Sequence, residues 1–67
     1  MNKPWRWTKY RIAIRTLLEG GTTVKELKNH TVNTFNKNNP DARPSERAAS
    51  IASMWREIDA VAERIAE

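Results

Sequence analysis

The chain has 67 residues, no cysteine, one histidine and a formal net charge of +4. A chain of this length forms a single domain, and the absence of cysteine excludes disulfides, thiolate nucleophiles and cysteine-ligated zinc. With one imidazole available, we expect no metal site, no cofactor and no catalysis. The composition therefore favours a binding module over an enzyme.

The N-terminus is basic, but no apolar stretch of the length found in signal peptides follows it. Nothing in the chain approaches the uninterrupted apolar run of a membrane span. We therefore expect a cytoplasmic protein without a membrane partner.

The charge is unevenly spread along the chain. Residues 1–33 carry seven bases and two acids, a balance of +5, whereas residues 34–67 carry five bases and six acids, a balance of −1. This asymmetry predicts that the N-terminal half meets an anionic partner. The alternative is that these bases only form a solvated helix face.

The first predicted element is a helix over about residues 5–19. Pro4 suits the first turn of such a helix, and Gly20–Gly21 ends it because one glycine can supply the positive φ of a C-cap. Trp5 and Ile12 fall on the side away from the core, so either the third helix covers them or they form an exposed contact surface. The opposite, core-facing stripe consists of Trp7, Tyr10, Ala13, Ile14, Leu17 and Leu18.

The second predicted helix covers about residues 23–35. Thr23 and Glu26 form a capping-box pattern at its start. Its end is open, because the segment from Thr31 to Phe35 is β-branched and contains asparagine. A break near residue 30 would divide it and give the domain four helices.

A loop follows at residues 36–41, which are rich in asparagine and contain a proline. The third and longest predicted helix covers about residues 44–66. Its apolar residues recur at spacings of three and four, at Ile51, Met54, Ile58, Val61 and Ile65. The chain is therefore predicted to be a single all-α domain over residues 1–67 with a long C-terminal helix.

One segment resembles a known family. The run Thr23-Val24-Lys25-Glu26-Leu27, which follows a helix and a Gly-Gly break, resembles the opening of the first helix in helix-turn-helix DNA-binding regulators of phage and plasmid type. The resemblance implies a helix-turn-helix-like domain with a recognition helix beginning at Val32–Asn33. The side chains that it would direct into the major groove, where Asn pairs with adenine and Lys with guanine, are Asn33, Thr34, Asn36 and Lys37.

In an alternative register, the start of the third helix is the segment that contacts the DNA bases, through Arg43, Ser45, Arg47 and Ser50. In either register, basic side chains would bind phosphates and make the affinity depend on salt. The first hypothesis is thus a small transcriptional regulator that binds double-stranded DNA. The residues expected at this interface are Lys3, Arg6, Lys9, Arg11, Arg15, Lys25, Lys28, Asn33, Asn36, Lys37, Arg43 and Arg47.

The rival hypothesis is a phage-type module that binds and inhibits or modulates a host enzyme such as RNA polymerase. Trp and Arg dominate protein interfaces, and both are concentrated at this N-terminus. The contact would be made by Trp5, Trp7, Arg11 and Ile12. A homodimer through the third helix is a further expectation.

Overall fold

The computed structural model describes residues 4–66, which form three α-helices: α1 over Lys9–Glu19, α2 over Val24–Asn38 and α3 over Pro44–Ala66. No strand occurs in this part of the chain. The predicted all-α class with a long C-terminal helix is confirmed, and α3 has the predicted bounds. None of the three helices combines the length and hydropathy needed to cross a bilayer.

The core lies where α1 and α2 each pack on α3. Ile58 and Val61 of α3 are fully buried, and Ile14 of α1 and Leu27 of α2 complete the buried apolar cluster. The two shorter helices scarcely touch one another. α3 is therefore the element that holds the fold together.

The stripe predicted on the first helix is mostly not core. Ile14 is buried and Leu18 packs against the core, but Trp7, Tyr10 and Leu17 are 39–45% exposed. The prediction fails here because α2 does not close over α1, so only the side of α1 that faces α3 is covered.

The first helix begins four residues later than predicted. Thr8 is its N-cap, with an extended backbone and a side-chain oxygen that accepts a hydrogen bond from the Arg11 N–H at 3.2 Å. Pro4 therefore does not occupy a helical turn, and Trp5 and Trp7 lie in the segment before the helix. The positions assigned to Trp5 and Trp7 by helical periodicity were wrong for this reason.

The first helix ends at its two glycines as predicted. Gly21 has φ +107°, and its N–H donates to the carbonyl of Leu18, while the Thr22 N–H donates to the carbonyl of Leu17. This pair of hydrogen bonds is the Schellman pattern, which satisfies the last carbonyls of a helix.

The second helix is longer than predicted and has no break near residue 30. Thr23 is its N-cap, as the capping-box pattern indicated, with a side-chain oxygen 3.1 Å from the Glu26 nitrogen. The hydroxyl of Thr31 donates to the carbonyl of Leu27 at 2.9 Å, so this buried polar group is satisfied inside the helix. The helix therefore continues through Phe35 to Asn38.

Candidate nucleic-acid interface

Three of the expected phosphate-binding bases are held in ion pairs. Arg15 bonds Glu19 at 2.7 Å within α1, and Lys28 of α2 bonds Asp59 of α3 at 3.0 Å. Arg11 Nε donates to Glu57 Oε2 at 2.7 Å, and its Nη2 donates to the second carboxylate oxygen at 3.2 Å. Two of these ion pairs join α1 or α2 to α3, and the third lies within α1. A base engaged in such a pair is less available to bind a phosphate.

Arg11 also organises the segment before α1. Its Nη1 donates to the carbonyl of Arg6 at 2.8 Å, and its guanidinium lies 4.0 Å from the centroid of the Trp5 ring. The hydrogen bond from Arg11, followed by its positive charge, lowers the pKa of Glu57 below the ordinary value of 4.5 against the opposing effect of burial. The two groups are thus a structural pair.

Trp5 is enclosed by cations and is not an exposed contact. The guanidiniums of Arg11 and Arg64 lie 4.0 and 4.7 Å from its ring centroid, and Trp7 meets it edge-on at 5.5 Å. The ring also packs against the core, whereas Ile12 is 48% exposed. Helical periodicity placed Trp5 and Ile12 on one face, but in the structure Trp5 packs against the core and Ile12 is exposed to solvent.

A row of polar side chains follows the outer face of α2. Lys25, Asn29, Asn33 and Lys37 are spaced four residues apart, and all four are exposed. Each step of four residues turns only about 40° around a helix, so the row spans about 120° and runs about 18 Å along the axis. We call these four residues the α2 row. It contains no acidic side chain.

Sequence reasoning included three members of the α2 row and left out Asn29. The signal that would have found it is the four-residue spacing, which becomes visible once the helix is known to continue to Asn38. The same continuity contradicts one expectation: positions 32–37 lie within α2, so no separate helix begins at Val32–Asn33.

Other expected contacts are scattered. Arg6 and Lys9 are exposed beside the start of α1, and Arg43 is exposed before α3. Arg47 donates to the carbonyl of Ala42 at 3.3 Å and is partly buried. Asn36 is also partly buried, with its Oδ1 enclosed, so it does not belong to the outer face. Lys3 lies outside the described residues.

An apolar groove of about 340 Å³ separates α1 from α2, and α3 forms its floor. No Asp, Glu, Lys or Arg lines it. Burial, and secondly the negative charge of Glu57, raise the pKa of Tyr10 above the ordinary value of 10.0. The principal side chains of the two walls and the floor are Tyr10, Ala13 and Leu17 from α1, His30, Thr34 and Phe35 from α2, and Met54 and Ile58 from α3.

No protein-family model, curated protein or solved structure matches this chain.

Proposed function

We propose that this chain is a small DNA-binding transcriptional regulator that contacts duplex DNA through the α2 row. The observation that carries the proposal is the row itself, two lysines and two asparagines on one exposed face of a 15-residue helix. An α-helix enters the major groove, where Asn can bond adenine and Lys can bond guanine or a phosphate.

The charge around α2 supports this use. α2 contains three lysines and one acid, Glu26, and one of those lysines, Lys28, is paired with Asp59 on the side that faces α3. Lys25 and Lys37 remain at the two ends of the outer face. Exposed Arg43, five residues after the end of α2, adds a further base for the phosphate backbone.

The rival role, binding a host enzyme such as RNA polymerase through the N-terminal tryptophans, has less support. Trp5 and Arg11 are both engaged in contacts within the chain, which leaves Trp7 and Ile12 as the exposed members of that set. Single exposed apolar side chains are normal on a protein surface and do not define an interface.

Binding to a labelled mixed-sequence duplex, measured by fluorescence anisotropy at several salt concentrations, tests the proposal. We expect a dissociation constant of about 1–100 μM at low salt, rising steeply as salt is added. The double substitution Lys25→Ala and Lys37→Ala should weaken binding roughly tenfold and lower the salt slope by about two, because each lysine neutralises one phosphate.

Arg56→Ala is the control, since Arg56 is an exposed base on α3 that lies beside Arg11 and Glu57, in a surface depression to which α2 contributes no residue. It should change the affinity less than about twofold. Absence of duplex binding at low salt, or an equal loss in the Arg56→Ala variant, would overturn the proposal.

A further inference from the structure

The four residues of the α2 row occur in a symmetric order, with lysines at the two ends and asparagines between them. At a rise of about 1.5 Å per residue, Asn29 and Asn33 lie about 6 and 12 Å along the helix axis from Lys25, and Lys37 lies about 18 Å from it. The two amides therefore flank the midpoint of the row, about 3 Å to either side, and the two ammonium groups mark its ends.

The shape of the major groove gives different roles to the middle and the ends of such a row. A helix with its side chains is about 10–12 Å across and fits a groove about 12 Å wide. The groove winds around the duplex whereas the helix is straight, so the middle of the helix lies against the base edges and its ends lie further out, beside the phosphates. The long stems of Lys25 and Lys37 suit phosphates, and the short side chains of Asn29 and Asn33 stand over the bases.

The asparagine amide is complementary to the edge of one base. It carries a donor and an acceptor side by side, and adenine presents its N7 acceptor next to its N6 donor in the major groove. Guanine presents two acceptors there, N7 and O6, and leaves the amide oxygen unpaired. The separation of about 6 Å between Asn29 and Asn33 equals about two base-pair steps of 3.4 Å, so the two amides can bond adenines of separate base pairs.

Other polar side chains of α2 lie away from the middle of the row. His30 and Thr34 line the apolar groove between α1 and α2, and Asn36 is partly buried. Glu26 is exposed, but it directly follows Lys25 and lies about 7.5 Å along the axis from the midpoint of the row. Its charge therefore opposes phosphate binding at that end of the helix, for every DNA sequence alike.

We infer that Asn29 and Asn33 are the specificity-determining residues of this chain and that each bonds the major-groove edge of an adenine. The preferred ligand is then a duplex with A·T base pairs at the centre of the contact, and Lys25 and Lys37 hold the phosphates without selecting a sequence. This inference rests on the proposed binding of duplex DNA through the α2 row.

Two duplexes with identical flanks test the inference by fluorescence anisotropy at low salt. Their central segments, of about six base pairs to match the length of the row, contain only A·T or only G·C pairs. Every A·T pair presents an adenine edge, so the A·T duplex should bind about tenfold more tightly or better, wherever the amides fall. In a third duplex, 7-deazaadenine replaces the central adenines, which removes the N7 acceptor and keeps the base pairing. Most of the preference should then be lost.

The double substitution Asn29→Ala and Asn33→Ala should reduce the preference for the A·T duplex to within about twofold. Both sites are exposed, and alanine is the better helix former, so the variant should fold. Asn38→Ala is the matched control, because Asn38 is an exposed asparagine of α2 that lines the apolar groove, and it should keep the preference. Lys25→Ala with Lys37→Ala should weaken the binding of both duplexes by the same factor.

The outcomes separate this inference from the proposed function. Equal wild-type affinity for the A·T and G·C duplexes overturns the inference and leaves DNA binding in place. The same holds for a preference that survives 7-deazaadenine or the double asparagine variant, or that Asn38→Ala abolishes equally. Failure to bind any of the duplexes at low salt overturns the proposed function, and the inference with it.

Discussion

Arg11 lies in the basic N-terminal segment and was expected to bind an anionic partner, but it makes several contacts within the chain. Its guanidinium bonds both carboxylate oxygens of Glu57, bonds the carbonyl of Arg6 and stacks on Trp5. The planar guanidinium of arginine can bond two carboxylate oxygens side by side and also lie over an aromatic ring. The ammonium group of lysine is a compact point charge that lacks this geometry. Arg11, which was expected to bind a phosphate, therefore links the segment before α1 to α3.

The environment of Trp5 predicts a structural role. Trp5→Ala removes the ring that packs against the core between Arg11 and Arg64, and we expect a loss of about 2–3 kcal/mol in the free energy of unfolding. Urea denaturation followed by circular dichroism measures it. Trp7→Ala, at a 39% exposed ring, should cost about 1 kcal/mol or less. An unchanged stability in Trp5→Ala would contradict this role.

The Arg11–Glu57 pair predicts a pH dependence. Because the pKa of Glu57 is lowered on folding, the unfolded chain binds this proton more readily, and the stabilisation is complete above the ordinary value of 4.5 and is lost as the pH falls through the lower folded value. The difference in Tm between the wild type and Glu57→Gln should therefore be largest near neutral pH and shrink in acid. A Tm difference that stays constant between pH 7 and pH 3 would be inconsistent with the pair.

At the scale of elements, α2 illustrates how packing overrides local preference. The β-branched and asparagine-bearing segment after residue 30 favours a break by propensity alone, yet it is helical throughout. The buried Thr31 bonds its hydroxyl inside the helix, and its neighbour four residues on, Phe35, lines the groove. The outcome matters for function, because only a continuous α2 aligns Lys37 with Lys25.

The central position of α3 predicts a strong contrast between two of its isoleucines. Ile58→Ala leaves a cavity under both other helices, so we expect a loss of about 2–5 kcal/mol, enough to unfold much of a domain this small. Ile65→Ala removes the same atoms at a 38% exposed site and should cost less than about 1 kcal/mol. Equal losses in the two variants, measured by denaturant titration, would show that α3 is not the organising helix.

At the scale of the whole molecule, the arrangement is flat and open, with principal extents of 38 × 34 × 18 Å. About two layers of helix account for the smallest dimension, because packed helix axes lie 8–10 Å apart. With α1 and α2 side by side on α3 and barely in contact, an apolar groove is left between them and the polar row of α2 is left facing water. The separation of α1 from α2 therefore accounts for the groove, whereas the α2 row is exposed because it lies on the outer face of α2.

The sequence alone determined the elements that local chemistry dictates. The apolar repeat of α3, the threonine cap before Val24 and the glycine pair after Glu19 each act within a few residues, so their spacing was sufficient to predict them. The all-α class followed from these signals.

Which side chains are covered and which charges are paired depends on how the three helices pack together. Arg11 meets Glu57 across 46 positions and Lys28 meets Asp59 across 31, and no local pattern encodes such partners. The start of α1 combines both kinds of cause: the Thr8 cap is a local signal that the sequence carries, whereas the contact of Trp5 with Arg64 joins positions far apart in the chain. Periodicity describes one helix at a time, whereas exposure depends on where the other helices lie.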